Sequence, residues 1–200
     1  MSHSTRLLFL AGSSREASFN KKLARLAATI AEANGIPATF ADLGDYPMPL
    51  YDDDLEARDG VPENALKLER LMRVHQGIFI AAPEYNAGMT PLLKNTIDWI
   101  SRVREEGSPP LEVYKTRIFA IASASPGGFG GIRGLIQLRQ TLSLGVGALV
   151  LADQLSVPRA GSAFNDDGHL NDKTQQDLLK DMLLKLVRAA KLLQTDGPNT

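Results

Sequence analysis

The sequence predicts an α/β fold in which helices cover both faces of a five-stranded parallel sheet. Short apolar runs rich in branched residues alternate with longer segments of helical periodicity, a pattern typical of βαβ units. Most of these runs are continuously apolar, as strands buried on both faces require. With 200 residues and 44% hydrophobic content the chain can bury one sizeable core, so we expect a single domain over residues 1–200, with flexible ends at 1–5 and 195–200.

The candidate strands are separated by intervals long enough to hold a helix. In chain order they are Leu7 to Ala11, Ala38 to Asp42, Gly77 to Ala82, Arg117 to Ala122 and Ala148 to Leu151. This alternation of strand and helix supports a parallel sheet.

Two of the intervening helices have identifiable ends. Apolar residues recur three and four positions apart from Leu23 to Ile30, and Gly35 stands where a glycine would end that helix. A second helix is predicted from Pro91 to Val103, because Thr90 suits the N-cap and a proline suits the first helical position.

Two long stretches lack regular periodicity and are predicted to be functional loops. They run from Tyr46 to Gly60 and from Val157 to Asn171. The first contains proline, tyrosine and a run of acidic residues, so we expect it to pack rather than to act as a tether. After the second, Asp172 with Gln175 three residues on resembles a capping box at the start of the last helix.

The composition excludes several classes of function. Lys and Arg total 22 against 23 Asp and Glu, so there is no basic excess for nucleic acid or anionic lipid, and a small-molecule partner is favoured. The absence of cysteine excludes disulfides, thiolate catalysis and Cys-ligated zinc. The apolar run Leu7 to Ala11 is too short for a signal sequence or a membrane span, and we expect a cytoplasmic protein. His3, His75 and His169 are scattered, and we assign no metal.

The turn after the first strand, from Gly12 to Asn20, has the composition of an anion site. Backbone N–H groups at a helix N-terminus favour negative charge, Ser13 and Ser18 add neutral donors as Asn20 does, and Arg15 adds a permanent cation. Neither a Walker loop nor a dinucleotide fingerprint is present, so a monophosphate fits better. The alternative is that Ser18 or Asn20 only caps the helix and that Arg15 is solvated.

Two further loops follow the third and fourth candidate strands. The segment from Ala82 to Pro91 carries proline, glycine, an aromatic and an amide, suited to presenting backbone groups to a planar ring. The segment from Ser123 to Gly131 is rich in small residues, which allow a backbone to approach a ligand closely. All three loops lie at carboxyl ends of strands, where open α/β sheets bind ligands.

These loops also carry a family resemblance. The motifs are G-S-S-R-E-A-S-F-N at Gly12 to Asn20, L-Y-D-D-D-L-E at Leu50 to Glu56, A-P-E-Y-N-A-G-M-T-P-L-L-K-N-T-I-D-W-I-S at Ala82 to Ser101, and the S-P-G-G loop at Ser125 to Gly128. Together they resemble the NADPH-dependent FMN reductase family, which includes flavin-dependent quinone, azo-dye and chromate reductases. The match extends from about Leu7 to Val157.

The resemblance implies a flavodoxin-like three-layer fold with strand order 2-1-3-4-5, and an enzyme in which FMN carries the chemistry. Hydride would pass from NADPH or NADH to FMN and on to a quinone, flavin, azo compound or metal oxyanion, without a dedicated catalytic side chain. Ser13, Arg15, Ser18 and Asn20 would hold the FMN phosphate, while Pro83, Glu84, Tyr85 and Asn86 would line the ring with Ser123 and Gly127; Phe19, Gly88, Pro126 and Gly128 complete the candidate set.

The resemblance also implies a homodimer or homotetramer with the flavin near the interface. The stretch Tyr46 to Gly60 would approach the flavin of the neighbouring subunit, and Ile97, Trp99 and Ile100 could form an apolar face for that contact. Trp99 could touch the ligand, but its helical spacing with Leu92, Thr96 and Val103 favours packing in the core or the subunit interface. The acidic run from Asp52 to Glu56 could bind a cation, but a solvated loop or salt-bridging segment is the more common use of such a run.

Two other functions remain open at the level of sequence. One is a flavodoxin-type electron carrier that does not oxidise NAD(P)H, and the other is a non-catalytic sensor of a phosphate ligand. The near-neutral net charge of −1 counts against the carrier, because electrostatically steered carriers tend to have a strong surface charge of one sign.

Overall fold

A five-stranded parallel sheet forms the centre of the fold. The computed structural model describes residues 4–104 and 107–195. The strands are β1 Leu7–Ala11, β2 Ala38–Asp42, β3 Gly77–Ala81, β4 Glu84–Tyr85, β5 Gly88–Met89, β6 Ile118–Ala124 and β7 Leu149–Val157, with β4 and β5 forming a separate hairpin. The order of the sheet strands is β2-β1-β3-β6-β7, which is the predicted 2-1-3-4-5 order when these five strands are counted alone, and the fold is flavodoxin-like.

Helices pack on both faces of the sheet and make three layers. They are α1 Phe19–Ala33, α2 Asp53–Asp59, α3 Glu63–Arg73, α4 Pro91–Arg102, α5 Glu112–Lys115, α6 Ile132–Gln140 and α7 Lys173–Thr195. The helices α1 and α7 share one apolar cluster with the sheet, whereas α3, α4, α5 and α6 share the other. Of the predicted flexible ends, residues 1–3 and 196–200 lie outside the described residues, while Thr5 is buried.

The central strands are apolar throughout because both of their faces are covered. Side chains alternate between the faces of a strand, so Phe9 faces α1 and α7 while Leu8 and Leu10 face the opposite layer. Phe9 packs against Phe79 on the neighbouring strand, with ring centroids 5.6 Å apart. Burial of one such side chain contributes about 1.5 to 3 kcal/mol.

The predicted helix ends are confirmed for α1 and α4. Gly35 follows the last turn of α1 with φ +72°, a conformation that glycine adopts without strain. The Thr90 hydroxyl accepts a hydrogen bond from the Leu93 N–H, and Pro91 occupies the first position of α4. The Thr90 hydroxyl also donates to the Gly12 carbonyl at 2.6 Å, which joins the loops after β1 and β3.

The edge strand is longer than predicted. β7 continues to Val157, six residues beyond the predicted end at Leu151. Its register with β6 shifts between Val150 and Gln154, so the strand includes a polar, solvated stretch. Polar residues are tolerated in an edge strand, so the end of the apolar run at Leu151 did not mark the end of the strand.

The prediction of an irregular loop from Tyr46 to Gly60 was wrong, because this stretch contains α2. The Asp52 carboxylate caps that helix by accepting from the Leu55 N–H at 2.9 Å. Further acidic residues occupy the first turn, where the helix dipole favours negative charge. The acidic run is therefore a helix N-terminus.

The predicted apolar face on α4 is covered by the chain itself. Ile97, Trp99 and Ile100 are all buried without any second subunit, so the expectation that they face a partner was wrong. The Trp99 indole N–H donates to the Pro49 carbonyl at 2.7 Å, and the Tyr51 ring packs edge-on against the indole. Trp99 is thus a core residue.

The last helix begins close to where the capping box predicted. The Asp172 carboxylate accepts from the N–H groups of Thr174 and Gln175. Gln176, rather than Gln175, folds back, and its Oε1 accepts from the Leu170 N–H. No helix in residues 4–104 and 107–195 is both long and apolar enough to cross a bilayer.

Candidate functional site

A cavity of about 210 Å³ opens at the carboxyl ends of β1, β3 and β6. It lies where open parallel sheets commonly bind ligands. All three predicted loops contribute to it. Its lining residues are Ser13, Arg15, Ser18, Phe19, Asn20, Pro83, Glu84, Tyr85, Ala124, Ser125 and Pro126.

One end of the cavity is formed by the turn that leads into α1. Within the described residues, no protein acceptor takes the backbone N–H groups of Glu16, Ala17 or Phe19. The positive end of the α1 dipole lies at the same place. This end of the cavity is therefore suited to an anion.

Ser13, Ser18 and Arg15 add side-chain donors to that end. Ser18 caps α1 by accepting from the Asn20 and Lys21 N–H groups, which leaves its hydroxyl hydrogen free to donate to a ligand. The Arg15 guanidinium is exposed and contacts only the Ala17 carbonyl, at 3.3 Å, in the described part of the chain. Its charge is not paired with a carboxylate of the described residues.

Asn20 lines the cavity, but its amide already ties α1 to β6. The Asn20 Nδ2 donates to the Ala124 carbonyl at 2.8 Å, and the Ala124 N–H donates to the Asn20 Oδ1 at 2.9 Å. Asn20 is only 3% exposed. Its observed contacts therefore position a cavity wall, a role that the sequence alone did not indicate.

Glu84 also lines the cavity and is held by α6. Its carboxylate accepts from the Arg133 guanidinium and from the backbone N–H groups of Arg133 and Gly134. Burial alone would raise the pKa of the Glu84 carboxyl, but these hydrogen bonds and the Arg133 charge outweigh it and hold that pKa below its ordinary value. Glu84 is thus an anion that joins the loop after β3 to the N-terminus of α6.

The loop after β3 is a two-residue hairpin. Asn86 and Ala87 have φ values of 50° and 66°, as a type I′ turn requires. Tyr85 lines the cavity, whereas Asn86 is exposed at the turn and Gly88 packs against Gln137. The structure therefore brings Tyr85, but not Asn86 or Gly88, to the cavity wall.

The loop after β6 contributes residues that differ in part from those predicted. Pro126 lines the cavity, and so do Ala124 and Ser125, which were outside the predicted set. Gly127 and Gly128 are exposed beyond the lining. Ala124 and Ser125 could have been selected from their position at the end of an apolar strand.

Ser123 lies inside the wall rather than on its surface. It is 0% exposed, and its hydroxyl has no hydrogen-bond partner among the described residues. A Cβ at Gly131 would lie 1.9 Å from this hydroxyl oxygen, so the start of α6 packs directly on β6. Ser123 is thus a buried packing residue beneath the loop and does not line the cavity.

The sequence of this chain matches one protein family and named relatives. The model of the family described as NADPH-dependent FMN reductase matches residues 5–162. A probable NADPH:quinone oxidoreductase 2 from Oryza sativa subsp. japonica is 34% identical over 203 residues, covering 98% of this chain and 93% of the relative. An NAD(P)H-dependent FMN reductase from Pseudomonas aeruginosa is 32% identical over 189 residues, covering 93% of this chain and 95% of the relative.

A solved structure agrees with these sequence matches. The flavoenzyme NAD(P)H:(acceptor) oxidoreductase from Paracoccus denitrificans superimposes with a TM-score of 0.77 at 26% identity, covering 94% of this chain and 98% of that chain. The family match spans all three cavity loops. The chain belongs to the NADPH-dependent FMN reductase family.

Proposed function

We propose that this protein holds FMN in the cavity at the ends of β1, β3 and β6 and uses it to reduce a small molecule with NAD(P)H. The observation that carries the proposal is the union of an anion-binding turn with two loop walls at one edge of the sheet. Membership of the NADPH-dependent FMN reductase family supports the same conclusion.

The chemistry of the donor set fits the phosphate of FMN. The unpaired N–H groups at the start of α1 and the hydroxyls of Ser13 and Ser18 offer neutral hydrogen bonds, and Arg15 offers a charge-assisted one. Charged hydrogen bonds contribute about 1.5 to 3 kcal/mol each, and micromolar affinity requires about 8 kcal/mol net. The turn could therefore supply a large part of the binding free energy.

The remaining lining residues orient the ring. When bound, FMN supplies the group that accepts and donates hydride. Pro83, Tyr85 and Pro126 offer apolar surface to a planar ring, and Tyr85 is half exposed, so its ring can also contact an incoming substrate. No side chain is assigned as proton donor or nucleophile.

Preference for FMN is the first test of this proposal. Riboflavin lacks the phosphate that the turn would bind. FAD has this phosphate, but the adenylate attached to it would crowd against the closed turn. Titration of the apo-protein by flavin fluorescence should therefore give tighter binding of FMN than of riboflavin or FAD. Equal affinities for all three would contradict the proposed phosphate site.

A quinone is the acceptor that we propose first. The relative from Oryza sativa is named as a probable NADPH:quinone oxidoreductase, and E. coli has a relative named quinone reductase that is 36% identical over 149 residues. Steady-state turnover with a short-chain quinone, measured with NADPH and NADH in turn, tests both the acceptor and the nucleotide preference. If the protein does not reduce the quinone but NAD(P)H still reduces the bound flavin, the proposed reductase activity stands and a quinone is excluded as the acceptor.

We also propose a cytoplasmic homodimer or homotetramer. The cytoplasmic compartment is supported by the absence of cysteine.

Assembly is supported by two exposed leucines, Leu50 at 78% and Leu144 at 80% exposure, which remain uncovered in one chain. Light scattering should give at least twice the 21.7 kDa chain mass, and Leu144→Asp should reduce that mass; a monomer with full activity would contradict the assembly.

A further inference from the structure

Lys21 is a buried cation that stands behind the anion-binding turn. It lies in the first turn of α1 and is 7% exposed. Its ammonium group lies 2.6 Å from the Asp42 carboxylate and donates to the Ser14 carbonyl at 3.2 Å. The residue is outside the cavity lining, so it has no direct part in the site described above.

The contact with Ser14 fixes the orientation of one peptide group in the turn. A trans peptide is planar, so its C=O and N–H point in opposite directions. The carbonyl of the Ser14–Arg15 peptide points at Lys21, and its N–H is directed at the Ser13 hydroxyl, 3.3 Å away. Because Ser13 lines the cavity, the N–H side of this peptide faces the anion end and the carbonyl side faces away.

Asp42 in turn fixes Lys21. Burial of an unpaired ammonium is costly, so the carboxylate is needed to hold the cation there. Asp42 is itself oriented by the Gly44 N–H, which donates to its second carboxylate oxygen at 2.9 Å. The end of β2 is thereby connected to the turn after β1 through a single lysine.

We propose that Lys21 is a positioning residue for phosphate binding, which holds the Ser14–Arg15 peptide with its carbonyl turned away from the ligand. Reversal of this peptide would direct a carbonyl oxygen at the cavity, where it would repel the phosphate. The inference rests on the proposed binding of FMN and adds a residue that acts through the backbone of the turn.

The test compares Lys21→Met with Lys22→Met on the apo-protein. Lys22 is the exposed neighbour on the same helix and serves as the matched control. Titration with FMN and with riboflavin separates an effect on the phosphate from an effect on the ring. We expect Lys21→Met to weaken FMN binding about tenfold, equivalent to about 1.4 kcal/mol, with riboflavin affinity changed less than about twofold.

Two results with Lys21→Met would overturn the inference. Unchanged FMN affinity in Lys21→Met would show that the peptide keeps its orientation without Lys21, and a parallel loss of FMN and riboflavin affinity would show a general structural role. Lys22→Met should leave both affinities unchanged. A wild-type protein that binds no FMN would instead contradict the proposed function itself.

A second variant covers the case in which Lys21→Met does not fold. Asp42→Asn keeps an oxygen for the Gly44 N–H but removes the charge that holds Lys21. It should weaken FMN binding about threefold, equivalent to about 0.7 kcal/mol, again without loss of riboflavin affinity. Wild-type FMN affinity in this variant would overturn the inference.

Discussion

The Glu84 carboxylate and the Arg133 guanidinium form an ion pair at the rim of the cavity, with Arg133 Nε 2.8 Å from Glu84 Oε1. Glu84 belongs to the hairpin after β3, and Arg133 lies in the first turn of α6. The Arg133 guanidinium also lies 5.1 Å from the centre of the exposed Phe129 ring, in the loop after β6. One side-chain pair therefore sets the distance between two walls of the cavity.

Removal of Glu84 should destabilise the fold more than removal of Arg133. Glu84→Ala leaves two N–H groups at the start of α6 without their acceptor, and we expect a loss of about 2 kcal/mol in the free energy of unfolding. Arg133→Met keeps those two bonds and loses a half-exposed charge, so we expect a loss of about 1 kcal/mol or less. Urea denaturation of the apo-protein measures both.

The control for this comparison is an ion pair far from the cavity. Lys185→Met removes the exposed pair between α7 and Asp153, and we expect a change of less than about 0.5 kcal/mol. If Glu84→Ala were no more destabilising than Arg133→Met, the carboxylate would not cap α6.

Arg15 should matter for binding but not for folding. Its guanidinium is exposed and without a paired carboxylate in the described part of the chain, so Arg15→Ala breaks no ion pair there. We expect FMN affinity to fall at least about tenfold, with an unchanged far-UV spectrum. Unchanged affinity would mean that Arg15 is only a surface cation.

The position of the site could be predicted from sequence better than its detailed geometry. Continuous apolar runs marked the central strands, and the loops at their carboxyl ends then had to meet at one edge. The direction of each side chain depended on features that residue type does not reveal. The I′ turn directs Asn86 to solvent, and the start of α6 holds the Glu84 carboxylate.

Lys21 illustrates the same limit. In the sequence, Lys21 and Lys22 resemble two solvated lysines on an amphipathic helix. The structure shows that Lys21 is buried and paired with Asp42, at the end of β2. The helix α2 was missed for a related reason. It has no buried residue, so no apolar stripe marks it, and its N-terminus is stabilised by the Asp52 cap.

The glycine at the start of α6 should be irreplaceable, in contrast to a nearby glycine in the same loop. Gly131 has φ +87°, and a Cβ there would lie 1.9 Å from the Ser123 hydroxyl oxygen. Gly131→Ala should therefore cost about 3 kcal/mol from strain and overpacking. At Gly128 no atom of the described residues would lie within 4 Å of an added Cβ, so Gly128→Ala should change stability by less than about 0.5 kcal/mol.

Thermal denaturation of the two variants measures this difference directly. Equal melting temperatures for Gly131→Ala and Gly128→Ala would contradict the close packing of α6 on β6.

His75 should make the fold less stable in mild acid. The ring is 3% exposed and lies between the Leu71 carbonyl, at 2.7 Å, and the Thr39 hydroxyl, at 2.9 Å. Burial lowers the pKa of His75, and the charges of Arg6 and Arg117 lower it further, against the effect of the Leu71 hydrogen bond. The unfolded ring, with a pKa of about 6.5, then binds a proton at a pH where the native ring does not.

The contribution of His75 to the free energy of unfolding is therefore fully present above about pH 6.5. It decreases as the pH falls from there towards the lowered pKa of the native ring. Urea denaturation between about pH 7 and pH 5.5 should show a steeper loss in the wild type than in His75→Gln. Identical slopes in the wild type and His75→Gln would show that another group controls this range.

The most direct test of the account is the anaerobic mixing of the FMN-loaded protein with NADPH. A reductase should lose its yellow absorbance rapidly and recover it when a short-chain quinone is added. NADH should be tested in parallel, because the nucleotide preference is a separate property. Yellow absorbance that persists with both nucleotides would contradict NAD(P)H-dependent reduction and favour a flavodoxin-type electron carrier.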